Sequence, residues 1–129
     1  ELTERALLEN NDIVLKNMYA LKKMGVKILL DDFGTGYSSL SYLHRFPMDV
    51  LKIDRSFIEN VHERGNHQAI IKTIIDLAAN LNMATVGEGI ENEADAKLLK
   101  KMGCVYGQGF YYYKPLPGDE IESFLLSKC

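Results

Sequence analysis

Apolar and polar positions alternate along this chain in two periods, and the periods take turns. Val14, Leu15, Met18 and Leu21 recur every three or four residues, so they predict an amphipathic helix opened by Asn11 or Asp12 and stopped by Gly25. Val26–Leu30 is a short apolar run with one lysine, which predicts a strand. A brief helix follows and should stop at Phe46-Pro47, because proline disfavours helix in the residue before it. Val50–Asp54 predicts a second strand, with Val50, Lys52 and Asp54 on one face and Leu51 and Ile53 on the other. The polar segment 62–67 reads as a loop. Ile70, Ile71, Ile74, Ile75, Ala78 and Leu81 form the broadest helical stripe. Ala84–Glu88 is a third strand. Asn92 and Asp95 resemble a capping box ahead of Leu98, Leu99 and Met102, with Gly103 ending that helix. Cys104–Tyr113 is a last strand-like run broken by Gly107 and Gly109, and Pro115 and Pro117 bound a turn before a helix with Ile121, Phe124 and Leu125. Residues 1–4 show no obvious element and read as a cut through the middle of something. Strands alternating with helices call for an α/β fold with a parallel sheet and crossover helices.

Composition narrows the function classes. The chain has 129 residues, 47% hydrophobic and 26% charged, which suits one globular domain. A net charge of -3 supplies no basic surface for duplex nucleic acid. The two cysteines, Cys104 and Cys129, make no disulfide framework, so a reducing, cytoplasmic setting is expected. No apolar run is long enough to span a membrane, so membrane contact through this segment is not expected; any anchor of a parent protein would lie elsewhere.

The candidate chemistry gathers where strands end. Leu29-Leu30 runs into Asp31-Asp32, and Gly34 and Gly36 follow within the next four residues. Strand geometry sends neighbouring side chains to opposite faces, so both acids reach one site only if the backbone turns there. Glycine allows that turn. The plain alternative is a solvated acid pair capping a short helix. Lys52 and Asp54 end the second strand, Glu88 ends the third, and Gln108 falls at a comparable place on the fourth. In barrels and doubly wound sheets chemistry sits at the carboxyl ends of strands. A lysine in a covered strand is costly unless carboxylates offset its charge, and Asp31, Glu88 and Asp54 are its natural partners. A structural ion pair at the rim is the competing explanation. An acid cluster with one amide is a hard, oxygen-rich setting that suits magnesium or manganese better than zinc. His44, His62 and His67 read as surface residues, Cys104 as a small hydrophobe, and at least two of Tyr111, Tyr112 and Tyr113 as packing residues.

Five ordered blocks then carry a resemblance: Glu1-Leu2-Thr3-Glu4; Asp31-Asp32-Phe33-Gly34-Thr35-Gly36-Tyr37-Ser38-Ser39-Leu40; Lys52-Ile53-Asp54-Arg55-Ser56-Phe57; Glu88-Gly89-Ile90-Glu91; and Gln108-Gly109 with Lys114-Pro115-Leu116-Pro117. Together they closely resemble the C-terminal half of the EAL domain, the bacterial cyclic-di-GMP phosphodiesterase, across residues 1–129. The resemblance implies a TIM-barrel-like fold and the opening of cyclic-di-GMP to linear pGpG with Mg2+ or Mn2+ at a two-metal site. It implies that Glu1, Asp31, Asp32 and Glu88 are metal ligands, with Asp31 bridging, and that Asp54 partners the second metal. Lys52 resembles the residue that holds or activates the attacking water, and Gln108 the glutamine that anchors the cluster. Phe33, Gly34, Thr35, Gly36, Tyr37 and Ser38 resemble the loop over the site and towards a dimer interface, and Glu4 and Glu91 the glutamates that steady it.

Two departures stand out. Gly87 replaces a usual alanine, which loosens the third strand slightly. The Glu-Ala-Leu tripeptide and a downstream asparagine, both metal-ligand suppliers, are absent, and a full barrel needs roughly 250 residues. The expectation is therefore about half a barrel, inactive by itself and prone to form a homodimer or larger assembly through open edges. The rival is a catalytically inactive EAL-like cyclic-di-GMP receptor. A third reading is an unrelated metal-dependent barrel hydrolase.

Overall fold

The computed structural model describes residues 1–8, 11–34 and 40–128. Within these residues five strands form one parallel sheet in sequence order: β1 (Leu2–Thr3), β2 (Leu29–Phe33), β3 (Val50–Ile53), β4 (Ala84–Glu88) and β5 (Tyr106–Gln108). Between them run α1 (Glu4–Leu8), α2 (Asn11–Lys23), α3 (Leu40–Arg45), α4 (Arg55–Ile58), α5 (Gly65–Asn80) and α6 (Glu93–Met102), and α7 (Gly118–Lys128) closes the chain. Consecutive strands that pair in parallel need a crossover, and helices provide it. This is the α/β, partial-barrel architecture expected from the alternating periods.

The core lies under the helices. Leu30, Leu51 and Ile53 on one sheet face are fully buried, as are Ile58, Ile71, Ala78 and, almost fully, Leu99 and Ile90. The α5 stripe holds as Ile71, Ile74, Ile75 and Ala78, whereas Ile70 faces outward. Asn92 caps α6, its Oδ1 accepting the Asp95 N–H at 2.8 Å, and Gly103 ends that helix at φ +98°.

Several boundaries differ from the sequence reading, for physical reasons. Residues 2–8 do form elements, because two residues of β1 find a partner in β2 (Leu2 opposite Leu30, Thr3 opposite Asp31), a long-range pairing that no local period announces. Asn11 and Asp12 lie within the first turn of α2 rather than ahead of it. β2 starts at Leu29 and continues through both aspartates to Phe33. Segment 62–67 is not a plain loop: Val61–Glu63 makes a 3-10 turn and α5 begins at Gly65. The last strand shrinks to Tyr106–Gln108, since a turn follows in which the Tyr112 N–H donates to the Gly109 carbonyl at 3.0 Å. α7 buries no residue fully, and Ile121 and Leu125 stay exposed among the described residues. Among the described residues no helix is long and apolar enough to cross a membrane.

Candidate active site

Register decides which side chains meet. Lys52 lies opposite Val86, so Glu88, two residues on, shares its face, and Gln108 lies directly opposite Glu88. On the other side Leu30 pairs with Leu51 and Phe33 with Ile53, leaving two β2 residues, Asp31 and Asp32, against the single Lys52. That extra residue is a β-bulge. Asp32 takes the strain at φ +56°, a left-handed conformation that aspartate tolerates better than most residues. The backbone therefore already turns at Asp32, ahead of Gly34, which turns as expected, and the Asp32 N–H donates to Asp31 Oδ1 at 2.9 Å.

The result is one ammonium ringed by carboxylates. Lys52 Nζ lies 3.5 Å from Asp31 Oδ1, 3.6 Å from Glu88 Oε2 and 3.7 Å from Glu1 Oε2. Lys52 is only 5% exposed, while the three acids keep partial access to water. Burial by itself pushes the lysine pKa down. The charges of Glu88, Asp31 and Glu1, in that order, more than offset it, so Lys52 titrates above the ordinary lysine range and stays an ammonium.

The remaining expected residues fall in different places. Asp54 does not join Lys52; its Oδ1 accepts the Ser56 N–H at 2.8 Å and caps α4, because it stands one residue past the strand. Glu91 pairs with Arg55, Oε1 to Nη2 2.7 Å. Phe33 ends β2 and is buried in the core, and Gly34 turns at φ +93° against the Phe57 ring. Thr35, Gly36, Tyr37 and Ser38 lie outside the described residues, as does the side chain of Glu4. Gly87 is buried, and a Cβ there would stand 3.1 Å from Leu99 Cδ1, so an alanine would require Leu99 to give way by a few tenths of an ångström.

Two polar clusters escaped the sequence reading. At the opposite end of the sheet Asp49 bonds Lys22, lies 3.7 Å from Lys27 Nζ and accepts the Ile28 N–H at 2.9 Å. Burial pushes its carboxyl up, but Lys22, the Ile28 amide and Lys27 together hold it below the usual carboxylate range. Beside α6, Asp95 is 2% exposed and accepts from the His62 backbone at 3.0 Å, the His62 ring at 2.7 Å and Asn92 Nδ2 at 2.7 Å. His62 is at the surface as expected, yet its ring nitrogen serves a buried acid. An acid within α6 three residues from its Asn cap was the visible hint; its histidine partner was not.

Among the described residues no three His, Cys, Asp or Glu side chains are gathered closely enough to form a ready metal cage. The acids spread around Lys52 instead. The donor chemistry still suits a hard divalent ion, being carboxylate oxygen with no histidine or cysteine.

Acids, a lysine and an amide thus gather at the carboxyl side of a parallel sheet, the position at which β/α barrels carry their chemistry. The particular family follows from comparison: residues 1–115 match the EAL domain, and the chain belongs to the EAL domain family. It is 39% identical over 122 residues to the cyclic di-GMP phosphodiesterase PdeR of Escherichia coli K12, covering 95% of this chain and 18% of PdeR. The solved EAL domain of Mycobacterium smegmatis DcpA superposes with a TM-score of 0.90 at 37% identity, covering 97% of this chain and 56% of that one. Klebsiella pneumoniae BlrP1, solved as a manganese and cyclic-di-GMP complex, superposes with a TM-score of 0.79 at 34% identity, covering 88% of this chain and 29% of that one. The chain thus spans just over half of the DcpA domain and under a fifth of PdeR.

Proposed function

We propose that this segment supplies the Lys52 half of a cyclic-di-GMP phosphodiesterase site, converting cyclic-di-GMP to linear pGpG by hydrolysis of one phosphodiester P–O bond. The observation that carries the reading is the buried Lys52 ammonium ringed by Asp31, Glu88 and Glu1. BlrP1, 34% identical, was solved with manganese and cyclic-di-GMP, which supports a divalent cation here; Mn2+ or Mg2+ is the choice that the oxygen donors favour. Glu1, Asp31, Asp32 and Glu88 would hold the ions, with Asp54 able to offer the oxygen not used in its cap. When bound, such ions acidify water and draw charge from phosphate oxygens.

The residues of the chain do the rest. Lys52, kept protonated by its neighbours, donates hydrogen bonds that orient a water for attack and hold it there. It is a poor base in this setting, since three negative charges oppose loss of its proton. Gln108, level with Glu88, fixes the edge of the cluster on β5. A cytoplasmic setting agrees with Cys104 as a free thiol.

The segment alone is expected to turn over little, since it covers 56% of the DcpA domain. It is also expected to self-associate as a homodimer or larger assembly: β1 and β5 are sheet edges, and Val105, Tyr106, Phe110 and Leu125 are exposed beside one of them. The test is to incubate a complete domain carrying these 129 residues with cyclic-di-GMP and Mg2+ or Mn2+ and look for pGpG. Lys52→Ala and Asp31→Ala should each cut product formation by about a hundredfold or more; undiminished rates would remove the assignment. Binding of cyclic-di-GMP without any pGpG would turn the reading towards a receptor.

A further inference from the structure

The hydrolytic reading assigns Glu88 to the metal but leaves open what holds Glu88 in place, since it is the last residue of β4 and the backbone turns at Gly89 immediately after it. That turn is clamped from outside the sheet. Gly89 has φ +74°, and the methylene stem of Arg55 lies so close over it that a Cβ at Gly89 would collide with Arg55 Cβ at 2.8 Å and Cδ at 2.8 Å. Two residues further on, Glu91 Oε1 receives the Arg55 guanidinium at 2.7 Å. Arg55 therefore grips the turn at two points, by stem contact at Gly89 and by charge at Glu91. Gly109, the residue after β5, presses on the same turn, since a Cβ there would collide with the Ile90 backbone, and the Ile90 N–H donates to the Gln108 carbonyl at 3.0 Å. Arg55, Glu88, Glu91 and Gln108 line one cleft of about 160 Å3.

Because the ion pair is half exposed on both sides (54% and 45%), it adds little stability by itself. Its leverage is geometric: the residue it immobilises adjoins a carboxylate whose use depends on sub-ångström placement. We infer that Arg55 is a positioning residue that sets the Glu88 carboxylate through the Gly89–Glu91 turn. The inference rests on the reading of Glu88 as a metal ligand. Arg55 lies directly after Asp54, on the helix that follows the Lys52 strand, so one short segment carries the lysine and also the brace for the acid facing it.

The test measures Mn2+ binding directly, as free Mn2+ by electron paramagnetic resonance, on the complete domain. Arg55→Ala should weaken binding about tenfold, within the range for loss of an outer partner of a metal ligand, with the melting temperature unchanged to within about 2 °C, as expected for an exposed pair. Glu91→Gln should do the same, and the double variant should be no weaker than either single one. In a Glu88→Gln background Arg55→Ala should add nothing. Undiminished Mn2+ binding in Arg55→Ala, or a full additive loss in the Glu88→Gln background, overturns the inference alone. Failure of the unsubstituted domain to bind Mn2+ overturns the metal reading and this inference with it.

Discussion

The two ends of the sheet carry mirror-image charge clusters. At the carboxyl side one lysine, Lys52, faces three acids; at the amino side one acid, Asp49, faces two lysines and a backbone amide. Burial opposes the charged form at both. The difference is in what remains after pairing. The Asp49 cluster satisfies its single carboxylate with donors from the α2 end and the residue before β2, and the Asp49 carbonyl also accepts the Ala84 N–H. It ties three consecutive strand starts together and has nothing negative left over. The Lys52 cluster keeps net negative charge and acid oxygens that still reach water, which is a demand for a cation. Similar ingredients thus make a structural clip at one end and, on the proposed hydrolytic reading, a reactive rim at the other, which matches the general division of labour in β/α barrels.

Substitutions can break that contrast. Lys52→Ala in a complete domain should reduce pGpG formation by about a hundredfold or more, within the range for loss of a proton-handling or orienting group, while the acids it leaves behind relax towards solvent. Asp49→Ala should do the reverse: a loss of about 2–3 kcal/mol in unfolding free energy, from a charge-assisted bond and an orphaned amide, with the rate intact at temperatures well below melting. Because its pKa is depressed on folding, the stability Asp49 contributes is present above about pH 4 and is lost as pH falls through its lowered native value. Chemical denaturation at several pH values measures both.

The clip between His62 and Asp95 sharpens the contrast by titrating the other way. The bond to Asp95 raises the His62 pKa, against a smaller opposing effect of burial. Its contribution is complete below about pH 6.5 and is lost as pH rises through the raised native value. The melting temperature should therefore drop on the alkaline side, and His62→Ala should remove that drop. The smallest effect belongs to Lys72→Ala, which breaks an exposed pair with Asp76 one helical turn away on α5. A change of no more than about 0.5 kcal/mol is expected.

Much of this was legible in the sequence because strands and helices announce themselves through local periods. Lys52, Asp31, Glu88 and Gln108 stood at comparable strand ends, and register brought them together. Glu1 could be attached to the cluster only through family resemblance, since a two-residue strand leaves no periodic trace. The bulge at Asp32 was also hidden: the pattern placed a turn at glycine, and Gly34 does turn, but nothing local showed that Asp32 turns before it. Asp49 and the His62–Asp95 bond stayed invisible for another reason. Their partners lie 21 to 33 residues away, and a single polar residue carries no period that would reveal so distant a contact. Ile121 and Leu125 are the converse case: their spacing correctly marked a helix, but periodicity cannot say whether a face finds a partner.

The most direct test of the cation-seeking rim is a crystal of the complete domain soaked in Mn2+, with the metal located by its anomalous scattering. The account predicts a peak within coordination reach of Asp31 and Glu88, close to Lys52, and none at Asp49. A peak only elsewhere, or a rim that stays empty at saturating Mn2+, would contradict it.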